Sequence, residues 1–255
     1  MWDRLVCWEF ADARTERRWK TVILILPFVI LAAFLALKIR WPGYYHRYAV
    51  REDGPGEYLT AVFFLLATVY FFLSWRASRS LESHLVPLLY LAAAVGCFLV
   101  FGEEISWGQR ILGVGTPGWL EEINRQDEIN LHNLDAVQGN LIYAALSLSF
   151  LGAFGWALFA SLPRPARDRL TRAGLRRFIP DWFLSSYFFV LFLVYSAITY
   201  LREHLNALLG TGMTGGPFFG SGDQEPAELI LALGVLLFAG FSYSTLRRES
   251  RERSS

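Results

Sequence analysis

Apolar residues along this chain gather into six long runs, and the charged residues stand in short clusters between them. A water-soluble core would intersperse the two, leaving one face of each element polar. Lipid offers the backbone no hydrogen-bond partners, so a membrane span must be helical, and crossing a hydrocarbon layer about 30 Å thick takes roughly 20 apolar residues. Six segments meet that requirement: Thr21–Leu37, Glu57–Trp75, Leu85–Phe101, Asn140–Ser161, Asp181–Tyr200 and Ala227–Leu246. The pattern predicts an all-α, polytopic membrane bundle of six transmembrane helices. The third run is expected to continue as helix through Glu103 to about Ile111, and the fifth through Glu203 to about Leu209, before glycines interrupt them. A polar leader over residues 1–20 and the lack of an A-x-A site make the first run read as a retained anchor.

Composition adds weight to the class, with 54% hydrophobic residues, but charge adds the orientation. Basic residues near span ends stay on the cytoplasmic side. With the N-terminus inside, the inner segments hold 17 of the 24 Lys and Arg residues and the outer ones seven, so the sequence predicts an N-in/C-in arrangement. The division is then a leader at 1–20, a membrane domain at 21–246 with outer loops 38–56, 102–139 and 201–226, and a cytoplasmic tail at 247–255. Arginine outnumbers lysine 22 to 2, which fits a G+C-rich bacterial genome, and the expected location is the bacterial inner membrane. Topology accounts for the Arg-rich stretch 164–177, so no nucleic-acid partner is called for, and the lipid bilayer is the partner expected. Cys7 falls in the leader and Cys97 within the third run, so no disulfide is implied. Six glycines between Gly210 and Gly222 suit a mobile loop, which could serve as a lid.

The carboxylates run opposite to the bases, with fourteen of 23 on the outer side together with His46, His132 and His204. Two of them, Glu103 and Glu104, arrive at the end of an apolar helix, where an ionisable residue is a functional hypothesis by default. On a continued helix Glu103, Trp107 and Arg110 would share a face, while Gly108 would leave space above Glu104. Farther on, Glu128 and His132 stand four apart, a spacing that lets a carboxylate and an imidazole meet one metal ion or one proton-transfer site. Tyr200, Glu203 and His204 would group in the same way on the extended fifth helix. Acids also surround Pro226, from Asp223 to Glu228, and Pro55, from Glu52 to Glu57. Each cluster taken alone also fits an interfacial belt, a cap or a turn. Their common face argues for more, because concentrated acids need a divalent metal, shared protons or a cationic substrate.

Glu103 to Arg110 (EEISWGQR), Asn130 to Asn133 (NLHN) and an earlier EDG-x-x-E from Glu52 to Glu57 together resemble a motif set of bacterial multi-pass membrane proteins with no established activity. That resemblance implies kinship over roughly residues 50–135 and implies no reaction. The paired glutamates followed by an arginine are similar, by analogy, to the first motif of the CAAX-processing intramembrane proteases, EE-x-x-x-R. Here five residues separate Glu104 from Arg110, and the F-x-x-x-H element is missing before His132 and His204. The H-x-x-x-H of ceramidase-like hydrolases is absent as well, as are G-x-S-x-G, P-loop, H-E-x-x-H, C-x-x-C and dinucleotide fingerprints.

Three readings follow. The first is a membrane-embedded hydrolase or transferase acting on a lipid or lipid-linked substrate at the outer face. Glu103, Glu104, Arg110, Glu128 and His132 are its candidate catalytic residues, and Glu104, His132 and His204 its candidate ligands for a divalent metal. The second is a small transporter or ion-coupled carrier, and the third a noncatalytic scaffold. Acids sited at span ends favour an interfacial site over a conducting path.

Overall fold

A computed structural model of the chain describes residues 13–51, 54–79, 84–113, 115–116, 135–214, 218–220 and 222–254. All elements among these residues are helical. The long ones are α1 (Ala13–Arg40), α2 (Pro55–Ser78), α3 (Leu85–Glu104), α4 (Asp135–Ser161), α6 (Ser185–Ser196) and α8 (Glu225–Ser254). Between them lie α5 (Arg164–Arg172) and α7 (Arg202–Thr214), the latter joined to α6 by a π turn, Ala197–Leu201. Six helices are long and apolar enough to cross a membrane, counting Ser185–Leu209 as one, and all six coincide with the runs read from the sequence. The chain is a polytopic helical membrane protein.

Local chemistry explains where the helices start. Gly54 caps α2 and Pro55 takes its first turn, where a missing N–H is harmless, while Glu57 complements the helix dipole. Glu225 and Glu228 do the same for α8. Pro27 inside α1 is tolerated because neighbouring turns and side chains can satisfy the carbonyl it frees.

α2 packs against α3 and α8, α8 against α6, and α4 against α6, while α1 leans on α6 and α8. Hydrophobic transfer contributes little inside lipid, so close packing of small residues must hold such interfaces. Ala67 of α2, Ala94 of α3 and Ala232 and Ala239 of α8 are buried together around Phe71 and Tyr90. Outward-facing Leu88, Leu148 and Val29 are more than half exposed, as a lipid-facing surface requires.

Contacts sort the helix ends into two faces. At one, Lys38 near the end of α1 reaches Asp223 just ahead of α8. At the other, Arg177 grips Glu249 through two bonds of 3.0 and 2.8 Å, and Arg176 meets Asp181 at 2.6 Å.

Two expectations need correction. α3 does not run to Ile111 but stops at Glu104, because Ser106, Trp107 and Gly108 all take positive φ (46°, 52° and 79°) and turn the chain back before a short helix at Gln109–Leu112. The glycine-rich stretch is not a continuous mobile loop either: α7 carries helix through Gly210 and Gly212 to Thr214, and residues 218–220 and 222–224 are pinned by side chains described below. Residues 215–217 and 221 lie outside the described residues.

Candidate functional site

The reversal after α3 is built around Trp107. Its indole N–H donates to the Glu103 carboxylate at 2.8 Å, so the two side chains meet by a fold-back and not along a helix face. The ring lies so close to Gly102 that a Cβ there would sit 2.8 Å from it, which explains the glycine at the end of an apolar helix. Phe98 closes the other side with an edge contact at 6.3 Å. Left-handed backbone at Ser106 and Trp107 costs about 1–2 kcal/mol per residue and persists where surrounding contacts enforce it. Gln109 extends the support by donating from its amide to the Thr116 hydroxyl at 2.7 Å.

This turn holds Glu103 and Glu104 at one end of the bundle, and three other helices bring partners. The charges acting most strongly on the Glu104 carboxyl are those of Glu228 in the first turn of α8, Glu57 in the first turn of α2, and then neighbouring Glu103. Tyr195, on the last turn of α6, donates its hydroxyl to Glu228. Its phenol is also within electrostatic reach of Glu225 and Glu104. α2 packs on both α3 and α8, and α8 on α6, and that succession is what brings these groups to one end. One turn deeper than Glu57, Thr60 is buried and its hydroxyl has no hydrogen-bond partner among the described residues. Thr68 and Ser74 on the same helix instead donate to Phe64 and Tyr70 carbonyls.

Beside the acids lies a second constellation. The Lys38 ammonium, 2% exposed, bonds Asp223 Oδ1 at 2.6 Å. The same oxygen accepts the Tyr45 hydroxyl at 2.9 Å, and Oδ2 accepts the Gly220 N–H at 2.6 Å. Rings of Phe218, Tyr45 and Phe219 surround the ammonium with centroids 4.8, 5.3 and 5.5 Å away. Burial, and next the Asp223 carboxylate, push the Tyr45 hydroxyl well above its usual range, which keeps it a donor. Asn206 of α7 clamps the loop from the other side, accepting from the Phe219 N–H at 2.7 Å and donating to its carbonyl at 3.2 Å. At Gly222 (φ 81°) a Cβ would stand 2.6 Å from the Val50 carbonyl, so the loop can pass here only as glycine.

The structure thus joins Glu103 and Glu104 to Glu57 and Glu228, which the sequence singled out as separate clusters. The fifth-run residues Tyr200, Glu203 and His204 are exposed, with Tyr200 inside the π turn Ala197–Leu201 and Glu203 and His204 on the helix that follows it. Arg110 lies on the short helix Gln109–Leu112, but its side chain, like Glu52, Asp53, Glu128 and His132, is outside the described residues. Among the described residues no three His, Cys, Asp or Glu side chains are grouped so as to hold a metal ion.

Sequence reasoning passed over Lys38, Tyr45 and Tyr195. Lys38 carried a signal, being one of two lysines in an arginine-rich chain and sited at the end of an apolar run. Tyr195 carried none, since it is one aromatic residue among many in its span. No protein-family model matches the chain, and neither a curated protein nor a solved structure matches it.

Proposed function

We propose that this integral membrane protein is a hydrolase or transferase acting on a lipid or lipid-linked substrate at the outer face of a bacterial inner membrane. The observation that carries the reading is the convergence of Glu57, Glu104, Glu228 and Tyr195 from four packed helices at one end of the bundle. Carboxyls that act electrostatically on one another are driven to different protonation states, which is what a general acid–base pair needs, and the tyrosine orients one member of it. Glu104 and Glu228 are assigned that pair, with Glu103 held ready by Trp107. Arg110 would receive an anionic headgroup, and Glu128 and His132 are the further groups the sequence offers. Acids at helix ends rather than mid-span support an interfacial reaction. The outward orientation rests on the arginine distribution, and kinship with the bacterial family on the EEISWGQR and NLHN strings.

The test is to reconstitute the protein, and its Glu104→Gln and Glu228→Gln variants, into liposomes of bacterial lipid extract and follow every lipid class by mass spectrometry. A species consumed by the native protein and by neither variant is the expected result. Lipid profiles identical to those of empty liposomes would end the enzyme reading.

A second reading, a proton- or cation-coupled carrier, is favoured by Thr60, whose unpartnered buried hydroxyl extends the polar site one turn into the bundle. Acidification of dye-loaded liposomes that Thr60→Val abolishes is the outcome that reading requires.

A further inference from the structure

Lys38, in the last turn of α1, and Asp223, just ahead of α8, are both almost wholly buried. Burying an ion pair confers little net stability, since apolar residues of similar volume commonly do as well. What such a pair supplies is direction: it fixes which groups meet and at what angle. The direction here is informative. Asp223 stands two residues before α8 and five before Glu228, so whatever fixes Asp223 also fixes where the first turn of α8 begins. The Asp223 carboxylate is held from three sides, by the Lys38 ammonium, the Tyr45 hydroxyl and the Gly220 N–H. Glu225 links the two constellations, acting electrostatically on both Tyr45 and Tyr195. The ammonium sits among three rings at about 5 Å, a compact enclosure that suits a point charge and leaves little room for a planar guanidinium, in a chain that uses arginine almost everywhere else.

We propose that Lys38 is a positioning residue for the carboxyl cluster: by anchoring Asp223 it sets the first turn of α8 so that Glu228 accepts the Tyr195 hydroxyl. The inference rests on the reading of that cluster as the working site, but its test does not depend on any substrate being processed. Replacing Lys38 alone would strand the Asp223 charge and confuse positioning with unfolding. The informative protein is therefore the triple variant Lys38→Met, Tyr45→Phe, Asp223→Leu, which removes the charges and the phenol together. Full-length protein in liposomes is treated with dicyclohexylcarbodiimide, and labelling of Glu228 is quantified by peptide mass spectrometry alongside thermal unfolding. The triple variant is expected to unfold near the native temperature yet to label Glu228 roughly tenfold faster, matching Tyr195→Phe, because the hydrogen bond that shields the carboxyl is lost. Phe71→Ala, which loosens the opposite part of the bundle, is expected to lower stability without accelerating labelling. Labelling at the native rate in the triple variant overturns the proposal. So does equal acceleration in Phe71→Ala, or failure of the triple variant to fold, since the pair would then be serving stability alone. Because labelling reads position and not turnover, a negative lipid assay leaves this result intact, and a positive one does not rescue it.

Discussion

At the arginine-rich end of the bundle Glu249 is held by both terminal nitrogens of Arg177 and Asp181 by Arg176, whereas at the acidic end the charges acting most strongly on Glu104 belong to Glu228, Glu57 and Glu103. Each end has acids, but at one two of them are gripped by arginines, while at the other four carboxyls crowd around Glu104 and the Tyr195 hydroxyl. Lys38, a base at the acidic end, bonds Asp223. Pairing of the first kind is what stable packing alone produces, because it offsets charge locally. Gathering like charges opposes packing, and structures tolerate it where the charges have work to do.

The largest expected effect comes from the device that presents Glu103 and Glu104. Gly102→Val would drive a branched side chain into the Trp107 ring, which already stands within 2.8 Å of where a Cβ would be. Overpacking of this kind costs about 1–3 kcal/mol, and displacing the indole also breaks its bond to Glu103. Thermal unfolding should drop accordingly, and tryptophan fluorescence should report a more polar setting for Trp107. An unchanged melting profile would mean that the turn tolerates rearrangement and that the acidic end is not strained into place.

How much of this was readable from residues alone follows from which forces act at each level. The spans were legible because lipid imposes one rule on every residue of a run, and the structure keeps Leu85 as the start of the third and Ser161 as the end of the fourth. The acidic face was legible for the same reason, through charge distribution along the chain. Which acids meet was not, because that depends on helix phase, and two local breaks reset it. The left-handed turn at Ser106 to Gly108 ended a helix that apolar periodicity would have continued. The π turn at Ala197–Leu201 resets the phase ahead of the exposed Glu203 and His204, while Tyr195, just before it, reaches Glu228.

A pair of single substitutions sharpens the contrast between the ends by sign. Arg177→Ala removes a two-bond grip on Glu249 that is partly open to solvent, so a loss of about 1 kcal/mol is expected in thermal unfolding. Glu104→Gln puts a neutral amide of the same shape where burial and three neighbouring carboxyls bear on the side chain, and stability should hold or rise by about 0.5 kcal/mol. Losses of similar size in both variants would break the comparison, because Glu104 would then be as well compensated as Glu249.

At neutral pH the last effect is nil, because it concerns the Lys38 constellation and appears only at high pH. Tyr45 is buried, and its hydroxyl is displaced upward in the folded protein by that burial and by Asp223. In the unfolded chain it ionises near 10.0. Below that pH both states keep the proton and the contribution of Tyr45 is fully present. Above it the unfolded chain gains charge that the fold resists, so the contribution falls by up to about 1.4 kcal/mol per pH unit. Tyr45→Phe lacks this dependence, so the stability difference between native protein and variant should be level from pH 7 to pH 9 and shrink as the pH is raised past about 10. A difference that stays level beyond that point would show Tyr45 ionising as freely in the fold as out of it. In that case the enclosure around Lys38 would be wet, and the contrast between a sealed ion pair and an open carboxyl cluster at the same end of the bundle would fail.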